Sequence, residues 1–472
     1  MPKHKMTDVV VLLPGIMGSV LQRDGKDVWA PTAGAAMKAL WSLGRSLKEL
    51  QLDRDPWDVD DLGDGVKATR LAPDLHIVPG LWSIDGYSGV ADMIKDRFDV
   101  VPGVTYNELP YDWRRDNRVA ARALHRLAAE KLAIVRKDNP NAKLILIGHS
   151  MGGLVARYFL ECMDGWKDTR MLITFGTPHR GSLNAVDFVA NGFVKKVGPL
   201  TVLDLTKLLH SLTSVYQLLP IYPCVDLGSG YVRPAEAGSG IPGLDLARAK
   251  AALDDFHRAI EKGTAAHDPT AYEIHSIVGI TQGTKQSARL DGNKLIVEER
   301  YNGEDMGGDG TVPRVSATPI ETDSWSVDYQ PMYSTDRHGS LQNADPVKTQ
   351  LLGILTQRPT GAFRGGAGLR LQLDEAFVTG EPLIGSVLPD VPNLSLAAHV
   401  IDLSTGRPVG DPIALRRDAD DVHHLEIAPL PAGDYRVQVA GIDSSSGLVD
   451  PVHGLCSIDA GEAAAEGVHS RG

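Results

Sequence analysis

The chain is poor in cysteine and in basic charge, and it contains no long apolar run. Only Cys162, Cys224 and Cys456 occur in 472 residues. They are too few and too far apart for a disulfide framework, and no CxxC or Cys/His pair has metal-ligand spacing, so neither disulfides nor a structural metal are expected. No segment approaches the ~18 consecutive apolar residues of a membrane span. The first apolar run, Val9 to Leu13, is stopped by Pro14-Gly15. That is short of the ~7–15 residues of a secretory signal core, and with so little cysteine a reducing, cytoplasmic setting is expected. Lys and Arg number 48 against 60 Asp and Glu, a net charge of −12. Such a chain lacks the basic field that displaces counterions from nucleic acid, which excludes broad nucleic-acid binding. The same sign restricts membrane-interface contact to a transient, local and apolar one.

What is present is the composition of a globular protein. Hydrophobic content of 43% and charged content of 23% exclude a disordered, collagen-like or coiled-coil chain. The length leaves room for two to four structural units. Buried strands are predicted at Val9–Leu13, Leu144–Ile147, Met171–Phe175 and Ile274–Ile280, with an alternating one at Ser326–Tyr333. Helical spacing appears over 117–137, 152–163 and 344–356. Continuous apolar strands alternating with helices predict a mostly parallel sheet covered on both faces. Two stretches interrupt the rhythm. Residues 24–95 mix helical and loop signals, including Ala35 to Trp41. Residues 183–270 contain a leucine-dense, helical-looking run from Leu200 to Leu219 and a second helix near Leu244 to Ile260. Insertions of this size tend to cap an active face. From about Phe363 short alternating segments follow, at 369–373, 394–401, 423–427 and 435–439, and they predict an immunoglobulin-like β-sandwich. The expected organisation is an α/β domain over 1–360, with insertions at 24–95 and 183–270, then a β domain over 361–472 that ends in a disordered tail.

Gly148-His149-Ser150-Met151-Gly152 is a GxSxG placed between a buried strand and a helix. Small neighbours let the serine occupy a strained turn that lifts its hydroxyl above the sheet, at the positive end of the following helix. An ordinary capping turn is the bland alternative. A nucleophilic serine needs an acid and then a histidine later in such a chain. Asp309 lies in the glycine-rich Gly307 to Pro313 loop, with Asp291, Asp305 and Asp336 as competitors. His338 follows the 326–333 strand, with His149, His179, His210, His257, His267 and His275 competing. His149 adjoins the nucleophile but should point away around the turn. Two backbone amides must receive the oxyanion. Met151 follows the nucleophile, and Ile16 sits in the glycine-rich turn after the first strand.

Taken together, Leu13-Pro14-Gly15-Ile16-Met17-Gly18-Ser19, Pro110-Tyr111-Asp112-Trp113-Arg114, Gly148 to Gly153, Gly176-Thr177-Pro178, Gly308 to Pro313 and His338 resemble the lecithin:cholesterol acyltransferase family in order. The resemblance implies an α/β-hydrolase fold with Ser150 as nucleophile, Asp309 as acid, His338 as base, and Ile16 and Met151 as oxyanion donors. It implies a lipid acyl hydrolase or O-acyltransferase of lipase or phospholipase type, working through an acyl-enzyme without metal or organic cofactor. The chain differs from secreted animal members in lacking their signal peptide and cysteine-bridged lid and in carrying the strand-rich C-terminal unit, a candidate surface for a protein partner.

Tyr111, Asp112 and Trp113 either meet substrate or belong to a loop pinned by an Asp112–Arg114 pair. Leu208, Leu212 and Leu218 either line an acyl groove under a lid or fill a closed cap. Trp29, Trp41, Trp57 and Trp82 are candidates for interface or core, and Arg157 and Arg180 for solvated or structural roles. Two other readings of the whole chain stand beside this one, a carboxylesterase for small soluble esters and a catalytically inactive scaffold.

Overall fold

Five consecutive apolar residues, Val9–Leu13, form β1 of the central sheet with every side chain buried. The computed structural model describes residues 3–30, 50–72, 76–78, 82–197, 200–322, 331–356 and 368–459, except 239, 269, 293 and 447. The sheet continues with β2 (Tyr106–Glu108), β3 (Leu144–His149), β4 (Thr169–Phe175), β5 (Glu273–Gly279) and β6 (Met332–Ser334), in the order β6-β5-β4-β3-β1-β2. Every pairing in it is parallel. Burial on both faces explains the uninterrupted apolar runs of β1 and of Leu144 to Ile147 in β3. The flanking helices include α1 (Asn117–Val135), α2 (Met151–Cys162) and α3 (Asp345–Leu355). Helix α1 starts where the Asp116 carboxylate accepts from the Arg118 amide at 2.8 Å, and it buries Ala120, Ala121, Leu124, Ala128 and Leu132 along one stripe.

Register decides where the site is built. Leu13 of β1 pairs with Gly148 of β3, His149 pairs with Phe175 of β4, and Phe175 pairs with Ile277 of β5. These strands therefore end level with one another, and their exit loops share the carboxyl edge on which open α/β sheets bind ligands.

The insertions differ from the pattern predicted. Within 24–95, the described residues hold an antiparallel sheet of Ser19–Arg23, Lys26–Trp29 and Val66–Leu71, and no helix before Ser88. The predicted helix around Ala35 to Trp41 lies outside the described residues. Leu200–Asp204 is a strand paired with Val194–Val197, and only then come short helices at Thr206–Ser211 and Thr213–Tyr216. High leucine density does not by itself set a helical period. The helix expected at 244–260 begins at Leu246 and runs to Thr264 through a π turn at Ala252–His257. Most of the strand predicted over 326–333 lies outside the described residues, although β6 forms at its end. The same holds for the change of character near Phe363 and for the tail.

Beyond residue 368, two sheets enclose a second hydrophobic core that includes Leu371, Leu383, Leu396, Leu425, Val437 and Val452. One is built on β7 (Leu369–Leu373), β8 (Leu383–Pro389) and β10 (His423–Ile427); the other on β9 (Leu396–Asp402), β11 (Gly433–Gly441) and β12 (Val452–Asp459). The pairing departs from pure antiparallel at Ala376–Val378, which runs parallel to β12. The Tyr435 hydroxyl donates back to Pro431 O at 3.0 Å, the corner contact that fixes a strand entry in immunoglobulin-like sandwiches.

Arg114 joins the early insertion to the main body. Its side chain is fully buried and pairs with Asp112 at 2.6 Å and Asp64 at 2.9 Å. It also donates to Leu50 O at 3.4 Å. Arg114→Met strands those carboxylates. It is expected to cost about 3 kcal/mol, the low end for a broken buried pair because both acids keep some access to water; urea unfolding measures this.

Candidate active site

Ser150 stands between β3 and α2 with φ 50° and ψ −124°. A non-glycine residue holds such a conformation only when its surroundings enforce it. The enforcement comes from close packing of the neighbouring glycines. A Cβ added at Gly148 would lie 2.7 Å from the Gly153 backbone, at Gly152 it would strike Pro14 O, and at Gly153 the Thr177 side chain. The Ser150 amide donates to Phe175 O at 2.8 Å. The turn thus aims Oγ at the sheet edge while α2 presents its N-terminal end, Met151 first.

The Ser150 hydroxyl donates to His338 Nε2 at 2.9 Å. His338 Nδ1 donates to Asp309 Oδ2 at 2.7 Å, and the carboxylate fixes this tautomer. The other oxygen, Oδ1, accepts from the amides of Thr311 at 2.9 Å and Val312 at 2.7 Å. The His338 amide donates to Asp309 O at 2.8 Å, joining the two loops. All three side chains are buried. The geometry lets a proton leave the serine oxygen for an imidazole whose developing charge faces a desolvated carboxylate.

Residues 14–18 turn against this group. A Cβ on Gly15 would lie 3.0 Å from Ser150 Cβ, which sets the half-buried Ile16 near Ser150. Met17 follows at φ 61°. His149, predicted to point away, instead joins this turn to the base. The Gly15 amide donates to Tyr87 Oη at 2.7 Å. Because His338 O only accepts, His149 Nε2 carries the proton and donates to it at 3.1 Å. His149 Nδ1 then accepts from the Tyr87 hydroxyl at 3.0 Å.

The rival side chains lie elsewhere. His210 reaches Phe188 O at 3.3 Å and His257 reaches Gln217 O at 2.8 Å. His267 pairs with Glu161 at 2.6 Å and His275 with Glu273 at 2.9 Å. Asp305 binds Arg370 and Gln286, Asp336 binds Ser334 and His453, and Asp291 lies 3.9 Å from Arg289. Among the described residues no group of three His, Cys, Asp or Glu side chains could hold a metal.

The candidate pocket residues have structural partners. Tyr111 donates to Pro14 O at 2.7 Å, in the turn that carries Ile16. Asp112 is taken by Arg114. Trp113 donates to Ser19 O at 3.2 Å and meets Trp29 edge-on at 5.1 Å. Leu208 and Leu212 are core residues, with Leu218 packed at the margin. Trp57 is exposed beneath the Arg118 guanidinium, 4.8 Å from its ring; the side chains of Trp41 and Trp82 lie outside the described residues. Arg157 is buried against Glu321 at 2.7 Å and Tyr272 at 3.0 Å, and Arg180 donates to Pro319 O at 3.2 Å. Both therefore have structural roles.

Two positions escape the residue-type argument. Gly176 has φ 54°, and a Cβ there would lie 2.7 Å from Asp309 Oδ2 and 2.9 Å from His338 Nδ1. A Cβ on Gly279 would strike Asp309 Cβ. These glycines, at the ends of β4 and β5, form the floor under the acid–base pair. The Gly-Thr-Pro motif was the available signal for the first; nothing local marks the second.

Burial holds three histidines neutral. It lowers His149 to about 3 and His257 to about 4, and it pushes His179 well below the ordinary range. Unfolded, each takes a proton once the pH falls through about 6.5. Unfolding then binds more protons than the fold does, so stability is lost as pH drops from about 6.5 towards 4. Thermal melts across that window should show a steadily falling midpoint, and a flat profile would contradict the neutral assignment.

The family model for lecithin:cholesterol acyltransferase matches residues 84–237. Phosphatidylcholine-sterol acyltransferase of Gallus gallus is 31% identical over 138 residues, covering 26% of this chain and 32% of its own length. An uncharacterised Saccharomyces cerevisiae protein is 30% identical over 173 residues, covering 36% of this chain and 23% of its own length. The matches thus span about a quarter to a third of these curated relatives. Among solved structures, the mature Bacillus licheniformis lipase BlEst2 is similar at 14% identity and a TM-score of 0.35, covering 74% of this chain and 92% of that one. The stretch similar to that family contains the serine elbow and is carried on a parallel sheet with helical flanks, an α/β-hydrolase-type architecture.

Proposed function

We propose that the protein is a serine-dependent acyl hydrolase or O-acyltransferase acting on lipid-like esters. The observation that carries this reading is the unbroken hydrogen-bond path from Ser150 Oγ through His338 to Asp309, at 2.9 and 2.7 Å. In the proposed reaction Ser150 Oγ attacks the ester carbonyl as His338 Nε2 takes its proton. The amides of Met151 and Ile16 stabilise the tetrahedral oxyanion. The protonated His338 then hands its proton to the leaving alcohol, and an acyl-Ser150 ester remains. Water or a lipid hydroxyl, deprotonated by His338, releases the acyl group. Asp309 holds the imidazole tautomer and balances its transient charge.

The lipid part of the reading rests on the match to the lecithin:cholesterol acyltransferase model and on the phosphatidylcholine-sterol activity named for the chicken relative. The apolar cap around Leu205, Leu208, Leu209 and Leu212 is a source of acyl-binding surface if its helices part. Hydrolysis, with water as acceptor, is the preferred outcome, because the chain has no counterpart of the cysteine-bridged lid near the N-terminus of the secreted animal enzymes. All three cysteines are free.

Ser150→Ala is expected to lower turnover by roughly 10⁶-fold; undiminished ester cleavage by that variant would end the assignment. Gly176→Ala places a methyl against the acid–base pair and is expected to slow fluorophosphonate labelling of Ser150 by about 10²-fold, the cost of a small misplacement of reacting groups. Mass spectrometry of products from mixed phospholipids and neutral lipids, with and without an added alcohol, separates hydrolysis from transfer. A rise in rate as substrate aggregates marks lipase behaviour, while a flat response marks a soluble-ester enzyme.

A further inference from the structure

The loop that carries His338 hangs from β6, a three-residue strand at the sheet edge that, among the described residues, pairs with β5 alone. Such a strand supplies few bonds to hold a base within the fraction of an ångström that proton transfer demands. The additional anchors come from the C-terminal β unit. Arg436, on β11, forms an ion pair with the buried Asp85. The Asp85 amide donates to Gly339 O at 2.8 Å, the residue after His338. Asn343 donates to Asp85 O at 2.6 Å and Gln342 to Gly86 O at 2.8 Å, binding the same turn to the helical turn His338–Asn343. On β12, His453 Nδ1 lies 3.2 Å from Asp336 Oδ1, two positions before the base. The other Asp336 oxygen accepts from Ser334 Oγ at 2.9 Å.

The acid loop is held from the same unit by different residues. Arg370, on β7, donates to Thr281 O at 2.8 Å and pairs with Asp305 at 3.0 Å. The Gln282 side-chain amide donates to Leu369 O at 3.1 Å and to Thr335 O at 2.7 Å. Its backbone amide donates to Gly308 O at 2.9 Å, beside Asp309. Gln282 thus ties strand β7, the base loop and the acid loop together at one point.

We propose that the C-terminal β unit is a clamp on the active site, with Arg436 and His453 as positioning residues for His338 and Arg370 as one for the Asp309 loop. The inference rests on the reading of Ser150, Asp309 and His338 as the reacting groups. It assigns the β unit a task in catalysis that does not require it to touch substrate. The clamp is expected to change the chemical step and not substrate affinity, because Arg436, His453 and Arg370 bond to Asp85, Asp336, Thr281 and Asp305 rather than to Ser150, His338 or Asp309 themselves.

The test uses the full chain carrying Arg436→Met and His453→Leu together, assayed on p-nitrophenyl butyrate beside Arg436→Lys. The double variant should lose about 10²-fold in kcat, the cost of a misplaced base, with KM within about twofold. It strands the buried Asp85 and so melts lower, and kcat is read at a temperature where circular dichroism shows it fully folded. Arg436→Lys, which keeps the charge, should recover most of the loss. In a His338→Ala background the same pair should cause no further fall, because groups that act as a unit do not add. An unchanged kcat, or an equal fall in the His338→Ala background, overturns the clamp. Should the double variant fail to fold, Arg370→Met supplies an independent arm with the same expected split between kcat and KM. If Ser150→Ala abolishes turnover while the clamp variants leave it intact, the clamp alone falls. If Ser150→Ala keeps full turnover, the serine reading falls first.

Discussion

Ser150 stays in a backbone conformation that costs an L-residue of order 1–3 kcal/mol, and close packing keeps it there. Gly148, Gly152 and Gly153 bring β3, the β1 exit turn and the Thr177 turn to contact distance. Without that convergence the α2 N-terminus, the Pro14 to Gly18 turn and the His338 imidazole would not meet around Ser150. The strain is sustained by the centre of the sheet beneath, where every residue of β1 and β3 is shielded from water.

Around this point the charges are arranged by desolvation. His338 meets a carboxylate with both oxygens engaged, whereas its neighbour His149 is kept uncharged by burial and serves as a directional link from Tyr87 to the His338 carbonyl. Two adjacent imidazoles therefore do opposite things. One faces an acid and can accept a proton, and the other is locked by a hydroxyl and a carbonyl and cannot.

Much of this was legible in the residues, and the failures have physical causes. Strands β1, β7 and β10 were delimited to the residue because apolar runs or clean alternation leave one option. Ser150, Asp309 and His338, predicted from an elbow motif, a glycine-rich loop and chain order, are brought into hydrogen-bonding distance. Edge strand β2 was missed because Tyr106-Asn107-Glu108 is short and polar. Leu200–Asp204 was misread because leucine fits either period. Arg436 and His453 carried no local mark at all. Their partners lie 351 and 117 positions away, and only folding brings them together.

The glycine packing at the elbow has an evolutionary corollary. Each of those positions is locked by backbone or side chain from a separate element, so almost any replacement there is lethal to the turn. The cap, by contrast, is short helices and hairpins joined by loops, where insertions cost little. Change in this scaffold is therefore tolerated far more readily in the roof than at this hinge point, so close kin can diverge widely in what the roof admits while the Ser150 turn stays fixed.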